Sequence, residues 1–261
     1  MHRHIVHSLP LYEFDTLSGH PGLRHAISTR LGGVSPAPFA SLNLTTARGD
    51  DRAHVAENLH RLCAAVDTEV ANVISPQQIH GARVERVGRD QRGRIIAGCD
   101  GLVTDEPDVA LLLRFADCVS LIVYDPRRHA LGLGHAGWRG TLAGIATALV
   151  DAMTREFDSR PAEIIAGIGP AIGPCCYQVG PEVVEATVAA FEQPDGLLPA
   201  QSDGYRHLDL WAANRRLLEE AGVRQIETAG LCTACHVTEF FSHRAEHGRT
   251  GHHGALAYLK E

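Results

Sequence analysis

An α+β fold with mixed sheets is what the sequence predicts, and three observations carry it. Helix-period and strand-like segments intermix along the 261 residues. Several neighbouring strands are separated by hairpin-length links, too short for the crossovers of a regular βαβ array. Two runs, residues 109–115 and 119–124, are almost continuously apolar, as central strands covered on both faces are.

The elements follow in order. Residues 23–29 read as a strand that enters a glycine/proline turn, Arg30-Leu31-Gly32-Gly33-Val34-Ser35-Pro36. Asp50 or Asp51 caps a helix carrying Val55, Leu59, Leu62, Cys63 and Val66 on one face. Strands are expected at 82–87, 101–104, 109–115, 119–124 and 129–134. Residues 141–157 read as a helix with Leu142, Ile145, Leu149, Val150 and Met153 inward. A strand at 163–167 follows, then a helix opened by Pro181 and continued over 183–191. Residues 197–205 read as an exposed loop. Asp209 caps a helix whose stripe includes Leu210, Trp211, Asn214, Leu217 and Leu218; Asn214 reads as a core amide tying loops together. Residues 225–229 read as the last good strand, with His236, His243, His247, His252 and His253 in a solvated tail. No repeat or linker interrupts the chain, so a single domain over 1–261 is expected.

Composition narrows the function. The hydrophobic fraction of 44% supports a core without disulfide staples. The net charge of −7 speaks against a dedicated nucleic-acid binder. Lys260 is the only lysine, which removes a P-loop, a Schiff-base lysine and a pyridoxal-phosphate site together. Arginine must then bind any anion. The seven irregularly spaced cysteines suit a reducing, cytoplasmic setting. Residues 1–10 have no apolar signal-like core, and no apolar run is of membrane-crossing length.

Three segments carry the chemistry: Gln78-Ile79-His80-Gly81, Ala116-Asp117-Cys118 and Gly134-His135-Ala136-Gly137-Trp138-Arg139-Gly140. Each puts a soft ligand at the end of a β-like run. Taken singly, His80 is an ordinary loop histidine and Cys118 an ordinary buried thiol. Their common placement beside Gly81, Asp117 and Arg139 favours a site. Two imidazoles and one thiolate make the three-ligand set of an open catalytic zinc site. The same Cys118 and His135 also fit a thiolate–imidazole nucleophile pair. Either reading makes an enzyme. The ligand gaps are too wide and uneven for a zinc finger.

Two patterns are set aside. Gly132-Leu133-Gly134-His135-Ala136-Gly137 matches a dinucleotide fingerprint, but Trp138-Arg139 follows where a helix should pack closely on a sheet. Cys232-Thr233-Ala234-Cys235-His236 matches a c-type haem attachment pattern, which needs an exported protein. A structural role or chance is the simpler reading there. Cys175-Cys176, after a glycine/proline stretch, reads as part of a tight wall near the site.

The motifs resemble the laccase-domain family of multicopper polyphenol oxidases, with its peptidoglycan editing factors and zinc-dependent purine nucleoside phosphorylases. Besides the three segments, the likeness runs through Thr29-Arg30-Leu31-Gly32-Gly33-Val34-Ser35, Ser41-Leu42-Asn43-Leu44, Gly49-Asp50-Asp51, Asp100-Gly101-Leu102-Val103-Thr104, Gly169-Pro170, Asp209-Leu210, Asn214, Cys232-Thr233 and Phe240-Phe241-Ser242-His243-Arg244. Ser120 stands where the family commonly has proline, and His252 where arginine is common. The resemblance implies a four-layer αββα sandwich, usually monomeric, with zinc held by His80, Cys118 and His135; copper is the other candidate metal. It implies phosphorolysis of adenosine, inosine, guanosine and methylthioadenosine, with adenosine deamination beside it. It nominates Cys118, His135 and Asp117 as catalytic, with Asp117 orienting a ligand imidazole. Arg30, Arg139 and Arg244 are expected to hold phosphate, and Asn43 and Gln78 to bind substrate. Two other readings stand beside it. One is a copper oxidase of phenols, for which only His2/His4 offers a His-x-His pair. The other is a cysteine amidase editing cell-wall precursors through Cys118 and His135.

Overall fold

The structure is a computed structural model that describes residues 1–200 and 204–261. Its strands are β1 His2–Val6, β2 Leu9–Glu13, β3 Leu23–Ser28, β4 Val73–Pro76, β5 Val84–Arg86, β6 Ile95–Ile96 and β7 Gly101–Thr104. They continue with β8 Ala110–Phe115, β9 Val119–Asp125, β10 Ala130–Ala136, β11 Ile165–Ile168, β12 Gln225–Thr228 and β13 His253–Leu259. The helices are α1 Asp15–Ser18, α2 Arg52–Ala65, α3 Trp138–Leu142, α4 Ile145–Phe157, α5 Pro181–Ala190 and α6 Leu210–Glu220.

One sheet runs β1-β2-β3-β13-β8-β4-β6 and the other β12-β11-β9-β10-β7-β5, both mixing parallel and antiparallel pairs. Side-chain alternation turns them into four layers. Leu111, Leu113, Phe115, Ala255 and Ala257 of the first sheet meet Ile122, Leu131 and Leu133 of the second in the central layer. The opposite face of the first sheet, with Leu112 and Leu256, lies under Leu62 and Cys63 of α2. The opposite face of the second, with Leu121 and Val123, lies under Leu149 and Met153 of α4 and Leu218 of α6. The αββα sandwich implied by the resemblance is therefore the observed architecture.

β8 and β9 are buried along nearly their whole length, as their apolar runs predict. The short link between them does not make a hairpin. The chain crosses there from the first sheet to the second, and Asp117 turns it at φ 83°. Aspartate tolerates this left-handed region better than most side chains. The caps stand as expected: Asp51 accepts from the Ala53 amide at 2.6 Å and Asp209 from the Ala212 amide at 2.9 Å.

Four expectations are corrected. The helix over 141–157 is two helices, because Gly144 sits at φ 82° between α3 and α4. The histidine-bearing tail is solvated only in part: His236, His243 and His247 are exposed, but His252 is half-buried and His253 opens β13, which lies between β3 and β8 and replaces 225–229 as the last strand. Its alternation of small and large side chains hides a central strand. In the 197–205 segment, Leu197 and Leu198 are buried against the α4–α6 layer; residues 201–203 lie outside the described residues. Finally, β1, β2, β4 and β6 escape the sequence reading; β2 and β4 are short apolar runs without clear flanking signals.

Buried histidines give the fold a pH dependence. His25 on β3 accepts from the Phe14 amide at 2.9 Å, so it sits neutral, and burial pulls its pKa down to about 4. The unfolded chain binds that proton first, at about 6.5. Stability from this group is full above the unfolded value and is lost as pH falls toward the folded one, by up to about 1.4 kcal/mol per pH unit. Denaturant titrations of His25→Gln are expected to show a shallower acid decline than wild type through that window. Parallel curves for the two proteins would remove His25 from the account.

Candidate active site

The site lies where three chain segments converge on the seam between the sheets. His80 follows β4 in a loop and adopts φ 62°. Cys118 ends the crossover into β9, and His135 lies near the end of β10, in register with Ser120. One ligand atom from each of His80, Cys118 and His135 lies within 4.8 Å of the others. The two imidazoles meet edge to face with centroids 4.9 Å apart. Gly137 permits this approach: a Cβ there would sit 3.0 Å from Cys118 Sγ and 3.1 Å from His80 Cδ2.

Asp100, just before β7, organises the group. Its carboxylate accepts from the amides of Ile79 (3.1 Å), His80 (2.9 Å) and Gly81 (2.8 Å). It also meets His135 Nδ1 at 2.8 Å, and its carbonyl accepts from the His135 amide at 2.8 Å. Nε2 is then the His135 nitrogen left to meet Cys118. Burial works against charge on Asp100, yet its hydrogen bond to His135 and the backbone amides hold the carboxyl below its ordinary value. Burial alone would raise the Cys118 thiol, but the His135 charge and hydrogen bonds from His135 and His80 outweigh it and bring it down to about 6. His135 moves the other way, to about 9: burial opposes its charge, while Cys118 and Asp100 favour it. Each group thus favours the charged form of the other, thiolate beside imidazolium. A thiolate and two oriented imidazoles suit a borderline-soft cation, which takes the place of the proton.

The expectation that Asp117 orients a ligand imidazole is corrected, since Asp100 occupies that position. Asp117 Oδ1 accepts from Thr233 Oγ1 and Oδ2 from the Arg244 amide, both at 2.7 Å. Asp117 therefore ties two later loops to the strand that carries Cys118.

These groups open into a cavity of about 610 Å³, within the size range of small-molecule sites. Arg139 and Arg244 line it. Arg139 is exposed and lies 4.1 Å above the Trp138 ring; Arg244 lies 5.1 Å above the Tyr177 ring and donates to Gln178 O. Gln78 also lines the cavity, but its amide is engaged with the Arg114 backbone at 2.8 and 3.0 Å. Two nominated residues fall outside. Arg30 pairs with Glu246 at 3.0 Å, donates to Ala40 and Val237 carbonyls and stacks on Phe241. Asn43 is fully buried, donates to Asp50 and Thr45 O, and accepts from the His252 amide. Both tie loops together; neither lines the cavity.

Sequence reasoning missed Asp100, Arg48, Arg114, Tyr177 and His252, all but the first of which line the cavity. Two signals existed: Asp100 begins a matched motif, and Arg114 is the one cation in an apolar run. His252 is half-buried; desolvation and the neighbouring Arg48 pull it down to about 3, so it stays neutral. Asn214 donates to Thr141 Oγ1 at 3.0 Å and Leu210 O at 2.8 Å, a core amide joining α6 to α3. The dinucleotide reading fails on topology, because β10 is antiparallel to both its neighbours.

A four-layer sandwich with a His-Cys-His donor set at its seam defines a metal-binding type of laccase-like domain. The chain belongs to the family described as multi-copper polyphenol oxidoreductase laccase, whose model matches residues 24–260. It is 41% identical over 236 residues to purine nucleoside phosphorylase YlmD of Geobacillus stearothermophilus, covering 86% of each chain. It is 34% identical over 230 residues to adenosine deaminase RL5 of an unknown prokaryotic organism, covering 84% of this chain and 87% of that one. The crystal structure of the Geobacillus YlmD superposes with a TM-score of 0.89 at 39% identity over 93% of both chains. That of the Bacillus licheniformis hypothetical protein YfiH gives 0.90 at 36% identity, over 97% of this chain and 96% of that one. No helix among the described residues is long and apolar enough to cross a membrane.

The Asp100–His135 contact predicts a metal-affinity phenotype. Asp100→Asn is expected to weaken metal binding by about 10- to 100-fold, as loss of such an orienting carboxylate does. Asp117→Asn is expected to weaken it much less. Competition against a chromogenic chelator measures both, and equal losses would deny Asp100 its special place.

Proposed function

We propose that this chain is a zinc-dependent purine nucleoside phosphorylase that takes adenosine, inosine, guanosine and methylthioadenosine and also deaminates adenosine. The observation that carries the reading is the His80–Cys118–His135 set at the inner end of an arginine-edged cavity of nucleoside size. The names of the relatives favour the same chemistry. We propose further that it acts as a cytoplasmic monomer.

In phosphorolysis a phosphate oxygen bonds to the ribose C1′ while the C1′–N9 bond breaks. The purine leaves with the electron pair and must be protonated. Arg139 and Arg244 are assigned to the phosphate, where guanidinium groups neutralise charge and offer paired donors. Arg48, on the same cavity wall, is a third candidate. Tyr177 and Trp138 offer aromatic faces beside these cations for the base. His80, Cys118 and His135 would hold the metal, with Asp100 fixing the His135 tautomer. Zinc, when bound, supplies Lewis-acid polarisation without redox change.

The copper and amidase readings rank lower. Among the described residues, the other histidine-bearing ligand group is His2, His4 and Glu13 on the first strands, far short of a trinuclear copper cluster. The Cys118–His135 ion pair is compatible with a nucleophile, so metal dependence decides between the two schemes.

Inosine is expected to yield hypoxanthine only with phosphate present, under strict anaerobiosis as well as in air. Cys118→Ala should abolish this activity and lower bound zinc. Turnover that stops without oxygen would establish the copper reading, and full turnover by metal-stripped wild type would sink the zinc scheme.

Arg139 gives a separate test. Arg139→Ala is expected to raise the KM for phosphate by about tenfold or more, the loss of one charge-assisted contact. Its folding stability should change by no more than about 0.5 kcal/mol, because the side chain is exposed. An unaltered phosphate dependence would make Arg139 structural.

A further inference from the structure

Four of the seven cysteines gather at a second place, away from the His-Cys-His set. β11 and β12 are parallel neighbours, so the loops that follow them leave the sheet side by side. The pairing continues past the strands: Ala171 bridges Cys232, the Ala171 amide donates to Leu231 O, and the Thr233 amide donates to Ala171 O. The first loop then turns through Cys175-Cys176 and the second through Cys232-Thr233-Ala234-Cys235. One sulfur from each of the four lies within 4.8 Å of the others. Cys175 and Cys176 Sγ stand 3.6 and 3.4 Å from Cys235 Sγ.

We propose that Cys175, Cys176, Cys232 and Cys235 form a structural zinc site that clamps these two loops together. Three observations favour a single ion over other fates for the thiols. A tetrahedral ion with zinc–sulfur bonds of about 2.3 Å places its sulfurs about 3.8 Å apart, close to the separations here. A disulfide needs about 2.05 Å, and a pair of disulfides would draw the four sulfurs into two couples. The cluster also reaches from the core to the surface: Cys232 is buried, whereas Cys175 and Cys235 are exposed. Second, Cys232-x-x-Cys235 has the close ligand spacing of structural zinc sites, which the His-Cys-His set lacks. Third, the Gly173 amide donates to Cys232 Sγ at 3.2 Å, the outer hydrogen bond that steadies a metal-bound thiolate. Four thiolates close the coordination sphere, so the site has structural and not catalytic character.

Its position gives it a purpose. Between the two loops the Ile172 amide donates to Asp117 O, and Thr233 Oγ1 donates to Asp117 Oδ1. Tyr177, one residue past the cysteine pair, lines the cavity. Clamping the loops fixes Asp117, and with it the peptide that carries Cys118. The remaining cysteines stand apart: Cys63 and Cys99 are buried alone, and Cys118 belongs to the first site.

The test is zinc stoichiometry in untagged protein, by elemental mass spectrometry. Wild type is expected to hold two zinc ions per chain. Cys175→Ser/Cys235→Ser should hold one, and Cys118→Ala should keep the cluster ion while losing the other. Cobalt reconstitution supplies an independent readout: intense thiolate-to-cobalt charge-transfer bands should survive in Cys118→Ala and largely vanish in the double variant. Alkylation mapping of wild type covers the case in which the double variant does not fold. Cys175, Cys176, Cys232 and Cys235 should be protected in the zinc-loaded protein and labelled together after chelation. Unchanged zinc content in the double variant, iron in place of zinc, a disulfide among the four, or equal labelling with and without chelator would each overturn the proposal. Because the two sites are emptied by different substitutions, failure here leaves the phosphorylase reading untouched.

Discussion

The buried carboxylate of Asp100 is the constraint on which the rest of the site depends. An ionised group with no solvent exposure is costly unless hydrogen bonds surround it, and here three backbone amides and one imidazole do so. The amides belong to the loop that carries His80, and the imidazole is His135 itself. One carboxylate therefore fixes two of the three ligand-bearing segments relative to β7. Asp117 does the equivalent work from the third segment, holding the loops after β11 and β12 and the peptide at Arg244.

The four-layer packing explains why the site lies where it does. The central strands of each sheet have both faces covered, so they are largely apolar and polar chemistry is kept from their middles. Strand ends and sheet-to-sheet crossings are the places left for it. The 116–118 crossover is such a place, and the left-handed turn at Asp117 lets Cys118 face the ends of β4 and β10.

Electrostatics divides the cavity. The inner end gathers soft donors in a setting that favours the thiolate, and the outer part carries guanidinium groups stacked on aromatic rings. The first suits a soft cation, and the second suits an anion or an electron-rich heterocycle over a neutral apolar ligand. The same arrangement shows why membership of a matched motif does not define a role. Arg30 and Asn43 stand in motifs as well matched as that of Arg139, yet they hold the 30–50 loops together from behind the cavity.

The sequence by itself determined the α+β class, the central strands β8 and β9, the capped helices α2 and α6, and the three soft donors that meet at the seam. Those features rest on short-range signals: apolar runs, Asp51 and Asp209 at helix starts, and soft ligands beside glycine at strand ends. Tertiary structure alone decided that β8 and β9 belong to different sheets, that β13 closes the first sheet from the far end of the chain, and that Asp100 rather than Asp117 meets His135. It alone brought Cys175 and Cys176 to Cys232 and Cys235. The physical reason is common to all of these. Each depends on pairing between residues distant in the chain, set by which sheet faces close on one another, and local propensity does not record that choice.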